Sequence, residues 1–240
     1  MAARARFLAV PIVVLALAAL SGCAITDSPG SGPETAAPAY RVGDRWVYHG
    51  EDGFRVKTVW DETHEVTAIG ADGITVRVTQ KGPTLDVART EIWSAPGQVK
   101  VGAVYDNETR RFAVPLQRWN FPLANGEVWS QRVDNFDEST KTTTNINRWV
   151  KIGDRKKVST PAGTFDAIYM QIIMHLGDDT FWRWGTDCTY EAWYAPEVRG
   201  LVREEKDAQY QEKSAGPGSG SGTIRVQHGT LELVSFTPGR

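Results

Sequence analysis

Apolar and polar residues alternate along this chain with a period of two. The clearest case is Ile74-Thr-Val76-Arg-Val78-Thr79, where one face is aliphatic and the other polar, as in a half-buried strand. Gly70-Ala-Asp-Gly73 precedes it and supplies the glycines that a tight hairpin turn demands. Residues 140–150 (TKTTTNINRWV) are dense in β-branched side chains, and 230–236 (TLELVSF) alternate again near the C-terminus. The longest apolar run after the N-terminus, 165–176 (FDAIYMQIIMHL), is predicted to be a central strand with both faces buried. Pro161-Ala-Gly163 before it and Gly177-Asp-Asp179 after it punctuate a strand rather than a helix. No segment shows a 3.6-residue period with caps at both ends. The chain is therefore expected to be all-β.

Landmarks recur in the same order, which predicts an internal duplication. Glu91-Ile-Trp93-Ser-Ala95-Pro96 is echoed by Glu191-Ala-Trp193-Tyr-Ala195-Pro196. Upstream, Gly43 and Trp46 are echoed by Gly126 and Trp129, and Ile69-Gly70 by Ile152-Gly153. Two related halves follow, about 40–120 and 121–240. The expected architecture is a pair of antiparallel meanders joined into one strongly curved sheet, an open barrel or a sandwich. The stretch 214–222 (SAGPGSGSG) reads as a loop interrupting the last hairpin.

The N-terminus adds an address. Arg4 and Arg6 precede the apolar run 7–20, which is shorter than the ~20 residues of a membrane-spanning helix and reads as an export signal. It ends in Leu20-Ser21-Gly22-Cys23, which resembles the lipobox of bacterial lipoproteins. That resemblance implies cleavage after residue 22 and lipidation of Cys23, with palmitate among the acyl chains. Several buried acyl chains give a durable membrane anchor. Ala24 after the cysteine resembles the sorting pattern for the outer membrane, which implies a site facing the periplasm. Residues 23–39, rich in Pro, Gly, Ser, Thr and Ala, are expected to be a flexible tether to the folded part, 40–240.

Charge and cysteines narrow the partners. Loss of residues 1–22 removes two of the 27 basic side chains and none of the 29 acidic ones, and no basic run remains. Nucleic acid is therefore not an expected partner. Lipidation of Cys23 would leave Cys188 as a half-buried thiol in a strand.

Candidate chemistry is sparse. Trp93 and Trp193 fall two positions after Glu91 and Glu191, so each pair shares one face of its strand. Such aromatic–carboxylate pairs could line a sugar or lipid cleft, or simply close a core. As an acid–base pair in a glycan hydrolase, Glu91 and Glu191 would need carboxyls within roughly 5–9 Å. His49, His64, His175 and His228 have no metal-ligand spacing, and no cofactor motif or nucleophile elbow is present.

Residues 119–129 (WNFPLANGEVW), 160–167 (TPAGTFDA) and 193–203 (WYAPEVRGLVR) together resemble a recurring arrangement in exported bacterial β-rich proteins of unknown function. The resemblance implies an all-β exported domain and carries no catalytic residues. The combination of lipid anchor and curved sheet is also similar to the carriers that move lipoproteins across the periplasm. The expectation is a membrane-anchored, non-catalytic envelope lipoprotein with a ligand-binding or assembly role. The alternative is a carrier or chaperone for a lipid or acylated ligand, with Trp93, Trp193, Met170 and Met174 around a cavity. A glycan hydrolase is the remote alternative.

Overall fold

The alternation is realised as twelve antiparallel strands in a computed structural model that describes residues 33–105, 107–213 and 222–240. In the first half run β1 (Arg45–Asp52), β2 (Thr58–Gly70), β3 (Gly73–Gly82), β4 (Leu85–Ala95), β5 (Gln98–Gly102) and β6 (Arg110–Gln117). The second half supplies β7 (Val128–Asp137), β8 (Thr142–Thr160), β9 (Gly163–Leu176), β10 (Asp187–Ala195), β11 (Gly200–Gln211) and β12 (Thr223–Thr237). Each strand pairs with its sequence neighbours, and β1 pairs with β12, so the curved sheet closes into a barrel. Closure removes both sheet edges.

The halves contribute six strands each, and their opening glycines make matching bonds. Gly43 donates its N–H to the Val66 carbonyl while Val66 donates to Asp44; Gly126 donates to Ile152 while Ile152 donates to Glu127. Both glycines have positive φ, 90° and 79°, a conformation that a side chain would strain. Beyond that point the halves diverge. β2 ends at Gly70, whereas β8 runs on past Gly153 to Thr160 and builds the longest hairpin of the molecule with β9.

Side chains alternate between a buried interior and a charged exterior. From β9, Ile168, Met170, Ile172, Met174 and Leu176 point inward and are buried. Tyr169, Gln171, Ile173 and His175 lie on the outer face, and Ile173 is 46% exposed. The expectation that β9 is buried on both faces is corrected: it is paired on both sides but covered on one. Outward positions such as Asp61, Glu65, Arg77 and Lys81 place charge around the wall, as on a sheet in water rather than one facing lipid. Cys188 is fully buried on the inner face of β10, not half-buried.

A meander gives the barrel two distinct ends. At one lie the β1–β2, β3–β4 and β7–β8 turns with the β5–β6, β9–β10 and β11–β12 connections. At the other lie the remaining turns and both ends of the folded part. This second end is plugged by aromatic rings. Tyr40 packs on Trp46 and Trp93 with ring centres 5.9 and 5.5 Å apart, and Trp46 stacks on Phe236 at 5.4 Å. The described part of the expected tether lies against the same end, where Thr35 is buried and pairs with Leu123. Cys23 and the signal segment lie outside the described residues, as does most of the 214–222 loop.

Candidate functional site

The interior is unevenly filled. Around β6 to β9, Leu116, Ile146, Val150, Ile152 and Met170 are fully buried and pack an apolar core. Towards β1–β4 and β10–β12 the packing opens into a cavity of about 400 Å³. It runs from the aromatic plug, past charged side chains, to a rim that includes Glu51, Asp52, Thr58, Leu85 and Asn107 at the opposite end. Such a volume is in the range of small-molecule sites.

Glycine makes part of this room. Gly50 points inward from β1, and the Trp60 indole of β2 lies flat over it; a Cβ there would sit 2.2 Å from the ring. The Trp60 Nε1–H in turn reaches Glu62 Oε2 at 3.1 Å. Gly200 holds back in the same way beneath Trp46, whose Nε1–H donates to the Val198 carbonyl at 2.7 Å.

Two carboxylates anchor the polar wall. Glu91, 1% exposed, accepts the Trp93 indole N–H at 2.9 Å and Arg118 Nη2 at 3.2 Å, with Arg89 Nε at 3.4 Å. The backbone N–H of Ala103 adds a further donor at 3.4 Å. Burial alone would raise this carboxyl, but the Arg118, Arg89 and His64 charges and the Trp93 bond outweigh it and hold the pKa at about 2. Glu62 pairs with His64 Nε2 at 2.6 Å and accepts Gln80 Nε2–H at 2.7 Å. Burial again opposes ionisation, but the His64 bond and charge, with Arg89 and Lys206 beyond, hold Glu62 far below the ordinary carboxylate range. Arg89 bridges the two acids, reaching Glu62 at 3.8 Å.

The remaining deep acid, Glu204, pairs with Lys206 at 2.9 Å. Lys206 is half-buried; its partial desolvation would lower its pKa, yet the Glu204 and Glu62 charges raise it. Arg148, 5% exposed, is different. Its Nη1 donates to the carbonyls of Gln117 and Arg118, and its guanidinium lies 5.9 Å from the Trp119 ring centre. Burial and then the Arg118 charge lower its pKa to about 9, so it stays a cation at neutral pH.

The sequence-predicted pairs part company here. Glu91 and Trp93 face the interior and line the cavity. Glu191 and Trp193 sit on the outer face of β10, because Cys188, Tyr190, Ala192 and Tyr194 take the inward positions. Trp193 packs there against Tyr169, with ring centres 5.6 Å apart and the Arg203 guanidinium 5.7 Å away. The two Glu-x-Trp motifs thus lie on opposite sides of the wall, and Glu91 and Glu191 do not share a cleft. Of the expected lining methionines, Met174 reaches the cavity and Met170 belongs to the packed core.

No protein-family model and no curated protein matches this sequence. Two solved structures are similar in fold. One is a proposed lipoprotein from Parabacteroides distasonis, 15% identical, with a TM-score of 0.47 over 86% of this chain and all of its own. The other is a proposed exported protein with YmcC-like fold from Bacteroides fragilis, 12% identical, with a TM-score of 0.41 over 85% of this chain and all of its own. Likeness at this level says nothing of what the cavity holds.

Sequence reasoning missed Glu62, Gln80, Arg89, Arg118, Arg148, Glu204 and Lys206. The signal was available at Arg148, which sits in phase with Ile146, Val150 and Ile152 on the apolar face of β8. Glu62 likewise falls between the inward residues Trp60 and Val66 of β2. A polar residue in the apolar phase of a strand marks either a buried network or a site. Among the described residues, no group of three or more His, Cys, Asp or Glu side chains is arranged to hold a metal ion.

Proposed function

We propose that this chain is a non-catalytic envelope lipoprotein that binds a small polar molecule inside its barrel. The observation that carries this reading is the cavity wall, where tryptophans alternate with ionised side chains that protein partners hold in place. Rigid hydrogen-bonding groups in a concave aromatic setting are the makings of a selective site. The export signal and lipobox at Cys23 supply the envelope address, with the periplasmic face of the outer membrane as the finer assignment. An acyl chain suits the wall less well, since it would strip water from the partly exposed Lys206 and Glu204 without replacing it. Hydrolysis suits it less as well: Glu62 and Glu91 are both held ionised, and neither is a ready general acid.

The test is native mass spectrometry of the Cys23→Ser protein purified from its host. A discrete polar adduct, lost on Arg89→Ala, is the expected result. An acylated adduct would replace this reading with the carrier. A protein that is always empty, even after exposure to envelope extracts, would end it. For the address, Cys23→Ser should move the protein from the membrane fraction to the soluble one, and unchanged fractionation would refute the anchor.

A further inference from the structure

We propose that the molecule bound in the barrel is an acidic saccharide, with Arg148 receiving its carboxylate and Gln80 accepting a hydroxyl. This rests on the ligand-binding reading above and gives it a chemical class. The inference starts from charge. Each deep carboxylate of the cavity already has its cation: Glu62 with Arg89, Glu91 with Arg89 and Arg118, Glu204 with Lys206. Arg148 has no carboxylate within ion-pair distance among the described residues. Glu204, the acid whose field it feels, is committed to Lys206. A buried guanidinium facing a cavity without a counter-ion is costly unless an anion completes it.

A second, separate observation concerns hydrogen bonding. Gln80, 6% exposed, donates Nε2–H to the Glu62 carboxylate, which fixes its amide orientation and turns Oε1 away. That Oε1 and the Arg148 Nε are both buried, and neither has a protein partner among the described residues. Among the lining residues, Gln80 thus keeps an unmet acceptor and Arg148 an unmet donor; Arg199 Nε is unmet as well, but that guanidinium already has Asp44 as its counter-ion. A ligand that satisfies Gln80 and Arg148 carries hydroxyl donors and an anionic group. The Trp60 ring at the wall offers a flat apolar surface of the kind that packs on a sugar ring. A sugar acid has all three properties, whereas a neutral sugar lacks the anion and a simple anion lacks the rest.

The experiment is calorimetric titration of the Cys23→Ser protein with oligosaccharides of galacturonate, glucuronate and N-acetylneuraminate. Their carboxyl-reduced forms, inorganic phosphate and acetate are titrated in parallel. At least one acid form should bind at least tenfold tighter than its reduced counterpart, and the preference should shrink as salt rises. Arg148→Gln should bring the acid form down to the reduced form's affinity, and Gln80→Leu should weaken both forms alike. Should Arg148→Gln fail to fold, Arg148→Lys keeps the charge without the fork and should retain part of the preference. Equal binding of acid and reduced forms would overturn the anionic class while leaving the cavity reading standing. Phosphate binding as tightly as any sugar would mean a simple anion site and overturn the saccharide. No binding by any sugar would overturn the proposal; the cavity reading would fall with it only if mass spectrometry also found an empty barrel.

Discussion

Glu91 shows how one side chain can tie a barrel wall together. It meets the Trp93 indole, two guanidinium groups and a backbone N–H, and water reaches almost none of it. Replacing it with Leu would leave Arg118 and Arg89 without their shared acid, an effect of about 3–5 kcal/mol on unfolding. Urea denaturation at pH 7 measures it. The same residue sets a pH dependence. Its pKa in the fold is about 2, below the ordinary 4.5, so its stabilisation is fully present above about 4.5 and is lost as pH falls through about 2. That difference is on the order of 3 kcal/mol. Stability measured between pH 5 and 2 should fall steeply, and Glu91→Gln should flatten that part of the profile. Gly50→Ala makes a second residue-scale test. Its Cβ would collide with the Trp60 indole, so it should cost about 1–3 kcal/mol and alter tryptophan emission as Trp60 leaves the cavity wall. An unchanged spectrum would mean that the ring does not lie over Gly50.

The strand is the scale at which the sequence was most readable. Alternation marked β3, β9 and β12 correctly as strands, because the period is a property of the backbone that any half-buried sheet must respect. Assigning faces was harder. In β9 the outward set contains Tyr169, Gln171 and His175, whose polar tips show that one side is not core. Met170→Ala on the inward face should cost about 2–5 kcal/mol, while Ile173→Thr on the outward face should stay within about 0.5 kcal/mol. Thermal unfolding of the two variants checks the assignment. The Glu-x-Trp echo misled for a related reason. A one-residue difference in phase reverses every side chain of a strand, and the two copies leave their strands differently. After Pro96 the chain turns through Gly97 with φ at 79°; after Ala195 it enters a single 3-10 turn, Pro196–Val198, that ends on left-handed Arg199. Identical letters therefore face opposite ways. The cavity was the least legible feature, since its charged wall is gathered from β2, β3, β4, β8 and β11 together with Arg118 after β6, segments far apart along the chain. No local pattern announces that Arg148 and Gln80 share a space.

At the scale of the whole molecule, the ends of the barrel have separate tasks. The plug of Tyr40, Trp46 and Trp93 closes the end where the folded chain begins, so an anchor at Cys23 would pull on the closed end and leave the rim pointing the other way. The barrel also depends on its last strand. A chain stopped at residue 213 would leave β1 and β11 as open edges, and it should elute as soluble aggregate in size-exclusion chromatography, where the full protein should not. Closure has a consequence for timing as well. Val47 and Ser235, side by side in the wall, are almost the full length of the domain apart in sequence. Contacts that distant form slowly, because a long loop must be ordered before they repay it. A chain threaded across a membrane from its N-terminus would present β1 long before its second neighbour arrives. Its assembly therefore waits on the final 15-residue strand, and until that strand docks the exposed edge needs shelter from its own kind.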